Sequence, residues 1–265
     1  MKPYNPLDRT HLADSIAREF FKPGLAHLPP DTFVGAGIYA IYYRGDFPLY
    51  AAIAGSLRAY EAATGKGKNA TAVRQPIPIY VGKSDPPGSR KGIFSDAAGP
   101  SVEEEGEEVA EKEAEELLTE TPKHRKLFLR LKKHATSISM TRNLRLEDFK
   151  CRYMLVDEIW VPLGEARLVA RFRPLWNVLI EGFGSNPEGG GRKDTARSVW
   201  DILHPGRKEA LGIQVSSTIE SSIVGSLRKA ASREDLAKAI GVHRDAKKTF
   251  AKLRKKSGTS PAAPG

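Results

Sequence analysis

Two tyrosines stand beside glycine in short apolar segments: Tyr39 in "GIYAIYY", residues 37–43, and Tyr80 in "YVGKS", residues 80–84. A buried strand gains little from a phenol whose O–H must still find a partner, so these hydroxyls need a reason. If the two segments pair as a twisted hairpin of period two, both rings project from one face of adjacent strands. Gly37 and Gly82 would then leave that surface open to a phosphodiester. Arg130 and His134 are four apart, which makes them neighbours on one side of a helix. Glu165 falls one turn into another helix, from which its carboxylate can point back across the sheet. Two phenols, an arginine, a histidine and one carboxylate are an adequate set for hydrolysing a phosphodiester.

These groups need a frame, and the chain supplies alternating strand and helix patterns. Residues 1–34 read as an N-terminal arm whose helix, "HLADSIAREFF", puts Leu12, Ile16 and Phe20 on one stripe. "GIYAIYY" is a strand closed by the turn "RGD", residues 49–64 suit a helix, and "IPIYVGKS" is a second strand. "TPKHRKLFLRLKKHATSIS" predicts a helix with Leu127, Leu131 and Ile138 on its apolar stripe. "FKCRYMLVD" is a third strand. "PLGEARLVARF" starts with proline in the first turn, buries Leu168, Val169 and Phe172, and stops at Pro174. The expected fold is α+β, with a small, mostly antiparallel three-stranded sheet flanked by helices over residues 35–213. An acidic insertion at 101–120 interrupts it. A basic helical tail follows at 214–265, with two short helices about Gly241 after a Ser232 N-cap and a disordered end.

Charge narrows the partners. The chain carries +10, yet residues 103–120 hold ten glutamates and one lysine, so the remainder carries +19. Such an excess favours a polyanion, whose condensed counterions are released on binding. The single cysteine, Cys151, excludes an internal disulfide framework and any cysteine-rich metal site. There is no apolar run of membrane-spanning length and no charged-then-apolar leader, which points to the cytoplasm. "VGKS" is not a nucleotide phosphate loop, because residue 77 is isoleucine where that motif needs glycine.

"GIY" at 37–39 followed by "YVG" at 80–82 resembles the signature of the GIY-YIG nuclease superfamily. The ordered series that follows is similar to its type II restriction endonuclease branch, and most of all to the group that cuts CCGCGG. That series is Arg130 and His134 in "LRLKKHATSI", then Glu165 and Asn177 in "LGEARLVARFRPLWN". The resemblance runs over residues 30–205 and implies a site-specific DNA endonuclease with one Mg²⁺ per active site. It implies that Glu165 ligates the metal and that Tyr39 takes the proton of the attacking water with help from His134. Arg130 would hold the phosphate, Tyr80 would position the nucleophile or a phosphate oxygen, and Asn177 would fix its neighbours by hydrogen bonding. Products would be a 5′-phosphate and a 3′-hydroxyl.

Many superfamily members carry their arginine a short way beyond the second tyrosine, where this chain has Arg90. Arg130 fits better, since the acidic insertion accounts for the longer spacing, and Arg90 reads as a phosphate contact. Lys83 is a further phosphate-binding candidate. A GC-only site calls for arginines that read guanine, and Arg44, Arg74, Arg192, Lys193 and Arg197 lie in flanking loops. The glycine-rich stretch 182–193 can instead grip phosphates alone. A palindrome calls for a two-fold homodimer, with Phe20 and Phe21 as interface candidates, and for a DNA methyltransferase encoded nearby. A homing or repair nuclease on the same scaffold, or a non-catalytic DNA-binding module, are the other readings.

Overall fold

The computed structural model describes residues 8–67, 69, 71–84, 125–184 and 198–207. The acidic insertion, the tail from 214, and Arg90, Arg192, Lys193 and Arg197 lie outside the described residues.

Strand β2 (Gly37–Tyr43) is buried at every position, which explains why its sequence is apolar throughout instead of alternating. It pairs antiparallel with β3 (Tyr80–Ser84) on one side and with β4 (Phe149–Leu155) on the other. A two-residue strand β1 (Ala26–His27) pairs antiparallel with β4, so the sheet has four strands in the order β1-β4-β2-β3. The expectation of three strands is therefore one short. The missing strand comes from the segment read as an arm and is too brief to leave a period-two pattern.

Helices cover both faces, the arrangement a fully buried central strand requires. One face carries Tyr39, Ile41, Tyr43 and Phe149, packed on Leu127, Leu131, Ala135 and Ile138 of α3 (Lys126–Ser139). On the other face, Ile38, Ala40, Tyr42 and Val81 pack on α1 (Arg9–Phe20), α2 (Ala51–Gly65) and α4 (Val161–Phe172). Two short helices, α5 (Leu175–Val178) and α6 (Val199–Leu203), add Leu175, Trp176 and Trp200 to the first core.

The helix stripes hold with small shifts. In α1 the buried residues are Ala13, Ala17 and Phe20, with Leu12 and Ile16 half-buried beside them. In α4 they are Val161, Gly164 and Leu168, with Val169 and Phe172 packed at the margin. Phe20 and Phe21 are buried within this chain, Phe21 edge-on to Phe172 with ring centroids 5.7 Å apart. That burial takes both rings away from the interface suggested for them.

Candidate active site

The strand register decides where the phenols go. Tyr39 pairs with Gly82 and Ile41 pairs with Tyr80, so Tyr39 and Tyr80 are diagonal neighbours on the same face. Their ring centroids lie 6.1 Å apart. The glycines beside them do something different from the opening proposed for them. A Cβ on Gly82 would meet the Tyr39 ring at its hydroxyl end, 2.5 Å from Cζ and 3.0 Å from Cε1. A Cβ on Gly37 would strike the Met154 carbonyl and come within 3.1 Å of Leu155 Cα. Glycine at 82 thus makes room for the first tyrosine, and glycine at 37 makes room for β4.

Helix α3 brings its functional face down onto those rings. His134 is buried, and its Nε2 lies 2.5 Å from the Tyr39 hydroxyl. Its ring centroid is 5.4 Å from Tyr39 and 5.4 Å from Tyr80. One turn back, Arg130 donates from Nη2 to the Gly184 carbonyl at 3.3 Å, and its positive charge acts on the Tyr39 phenol. Burial pushes the Tyr39 phenol well above its usual 10. Tyr80 and Glu165 push it further the same way, while the charge of Arg130 opposes them. Burial, then the charges of Arg130, Lys133 and Arg207, hold His134 well below 6.5. Tyr39 is therefore a protonated phenol and His134 a neutral imidazole. With Tyr39 as the donor, Nε2 accepts and the imidazole proton sits on Nδ1; the opposite tautomer would reverse the bond.

Glu165 arrives from α4, which packs on β2, β3 and α1. The preceding residue permits that approach: a Cβ on Gly164 would come within 2.8 Å of Ile16 and 3.0 Å of Ile38. The Glu165 side chain is half-buried, and its charge is felt at the Tyr39 hydroxyl. Among the described residues no three His, Cys, Asp or Glu side chains stand together to hold a metal by themselves.

Asn177 does not reach the phenols. Its Nδ2 donates to the Val81 carbonyl and its Oδ1 accepts from the Val81 N–H, both at 2.8 Å. The Trp176 N–H donates to the Ile79 carbonyl at 2.9 Å. Together these bonds replace the neighbour that edge strand β3 lacks, and so hold Tyr80 in place.

Lys83 pairs with Ile38 and so shares the face opposite Tyr39, while Arg44 and Arg74 are exposed in loops. Sequence reasoning missed Phe183, whose ring stacks on His134 at 4.7 Å and meets Tyr80 edge-on at 5.0 Å. The only signal was an aromatic set between two glycines in "EGFGSN", read there as part of a phosphate-gripping loop.

No helix among the described residues is long and apolar enough to cross a membrane. No curated protein matches the chain. A family model described as the Eco29kI GIY-YIG domain matches residues 31–111 and 104–231, well over half of the sequence. Both tyrosine segments and the helices bearing Arg130, His134 and Glu165 fall within those stretches, and the chain belongs to the Eco29kI GIY-YIG family of restriction endonucleases.

Proposed function

We propose that the protein is a type II restriction endonuclease that cuts both strands of a GC-rich palindrome, CCGCGG being the foremost candidate. Tyr39, Tyr80, Arg130, His134 and Glu165 form its catalytic group, and Asn177 acts as a positioning residue. The observation that carries this reading is the buried Tyr39–His134 hydrogen bond, with the charge of Arg130 acting on the same phenol.

That geometry suggests a relay. A phenol held above 10 is a poor base by itself. Its oxygen can nevertheless take a proton from water while its own O–H proton passes to Nε2 of neutral His134, so no free phenolate accumulates. The resulting imidazolium is costly beside Arg130, Lys133 and Arg207, and the phosphate charge brought by DNA offsets that cost. Arg130 is placed to bind a phosphate oxygen and to counter the charge that builds on it.

The donor set suits a hydrated Mg²⁺ held by Glu165, because this ion is usually bound through one or two carboxylates plus substrate phosphates. Bound there, it would supply Lewis-acid stabilisation of the leaving oxygen and favour a 5′-phosphate and a 3′-hydroxyl. Two-fold symmetric DNA is matched by a homodimer with one site per strand. A methyltransferase gene nearby would protect the host's own sites. Lys83, Arg44 and Arg74, together with Arg90, Arg192, Lys193 and Arg197, are the candidates for phosphate and base contacts.

Plasmid DNA incubated with Mg²⁺ and either wild type or Glu165→Ala tests the reading. Discrete fragments from wild type and none from the variant are expected. A smear would favour a nonspecific nuclease, and binding without cutting by wild type would favour a DNA-binding module.

A further inference from the structure

We propose that Phe183 is a positioning residue of the nuclease site, the element that sets the ring orientation of His134 and Tyr80. The proposal rests on the catalytic assignment above and adds a residue to it. Phe183 is only 5% exposed. It lies near-parallel to His134, at 23° and 4.7 Å, and edge-on to Tyr80, at 80° and 5.0 Å. On its far side stand Trp176 at 4.3 Å and Trp200 at 5.3 Å. The ring is thus a wedge between two rigid indoles and two groups of the proposed site. An imidazole that must accept from one phenol needs a fixed plane, because a rotated ring aims Nε2 away from the hydroxyl.

The backbone of the same turn serves a third member. The Gly184 carbonyl accepts Arg130 Nη2 at 3.3 Å. Gly184 has φ +76°, and a Cβ there would stand 2.7 Å from the Tyr80 hydroxyl and 3.1 Å from His134 Cε1. Only glycine lets the main chain approach that closely in that conformation. Residues 183 and 184 therefore touch His134, Tyr80 and Arg130 together.

The turn is itself anchored. Arg207 donates from Nη2 to the Gly182 carbonyl at 3.1 Å and from Nε to Asp201 Oδ1 at 2.7 Å. Its guanidinium lies 4.6 Å from the Trp200 ring centroid. Asp201 is held in turn by the Ser198 hydroxyl at 2.6 Å, and the Trp200 N–H donates to the Glu181 carbonyl at 2.9 Å. These bonds tie the turn to α6 and to Arg207 behind it.

The test uses full-length protein and compares Phe183→Leu, which keeps apolar volume, with Phe183→Tyr, which keeps the ring. Steady-state cleavage, thermal unfolding and the NMR signals of the His134 ring are read on each. Phe183→Leu should lower kcat roughly ten- to a hundredfold, as expected for a misplaced reacting group, with KM for DNA within about twofold of wild type. Phe183→Tyr should recover most of the rate. The His134 Cε1–H resonance should lose its ring-current displacement in the leucine variant and keep it in the tyrosine variant. Wild-type kcat in a folded Phe183→Leu protein, or an unmoved His134 signal, would overturn the inference. A His134→Ala control separates the two levels. If it is inactive while Phe183→Leu is fully active, the inference alone falls. If it is fully active, the proton-acceptor role falls with it.

Discussion

Among the described residues two buried tyrosine–histidine pairs have the same length and different neighbours. In each, a phenol oxygen lies 2.5 Å from a histidine Nε2: Tyr39 with His134, and Tyr50 with His204. In each, burial raises the phenol above its usual 10 and lowers the imidazole, that of His204 to about 3. Around Tyr50 every remaining bond is neutral. Trp176 Nε1–H donates to its oxygen at 3.0 Å, and His204 Nδ1–H donates to Asn143 Oδ1 at 3.0 Å. Asn143 Nδ2 donates to the Leu203 carbonyl at 2.8 Å. That chain is satisfied end to end, and it ties α6 to the turn before α2 and the loop after α3. Around Tyr39 the neighbours are Arg130, Tyr80 and Glu165, the last two half-buried. The lesson is that a short Tyr–His bond does not make a reactive site. The charge and solvent access around the two pairs set them apart.

Variants of the two histidines press hardest on that contrast. His134→Ala, or Tyr39→Phe, should lower the rate of DNA cleavage by about 10²- to 10⁴-fold, the usual worth of positioned acid–base groups. His204→Gln should leave the rate per folded molecule nearly unchanged. Single-turnover cleavage, normalised to the folded fraction, measures both, and an equal loss of rate in the two would end the distinction.

Stability should respond the other way. Tyr50→Phe removes the oxygen that receives Trp176 and the O–H that His204 accepts, leaving two buried groups unmatched. A loss of about 1–3 kcal/mol is expected in urea unfolding. Both histidines have folded pKa values below the unfolded 6.5, so their contribution is complete above pH 6.5 and drains away as pH falls below it. The slope approaches about 1.4 kcal/mol per pH unit for each histidine that must charge. Unfolding measured at pH 7 and pH 5 should show that decline, and His204→Gln should flatten it. The smallest effect is expected at the candidate DNA-contact residues outside both pairs. Arg44→Ala or Lys83→Ala should reduce the salt dependence of DNA binding by about one counterion each, with no change in the cleavage step.

Much of the site was legible because its pieces are local. Helical period places Arg130 and His134 together, and strand period places Tyr39 and Tyr80 on one face once their pairing is assumed. What escaped depends on contacts distant in the chain. Arg152, a charge within the strand "FKCRYML" that the sequence left unexplained, is fully buried. Its Nη1 donates to Gln75 at 2.9 Å and Nη2 to Tyr60 at 3.0 Å, with the rings of Phe21, Tyr42 and Tyr60 around it. His204 and Phe183 were equally silent, since their partners lie far from them in sequence.

The sequence by itself pointed to three of the four strands, the main helices and a set of candidate side chains, because these follow from periodicity and from residue chemistry. Tertiary structure alone decided that Gly82 accommodates Tyr39 and that Asn177 completes the edge of β3. It alone made one tyrosine–histidine pair charged in its surroundings and the other neutral. A hydrogen-bond partner or a neighbouring charge is a property of space, and the chain records it only after residues far apart have been brought within a few ångströms.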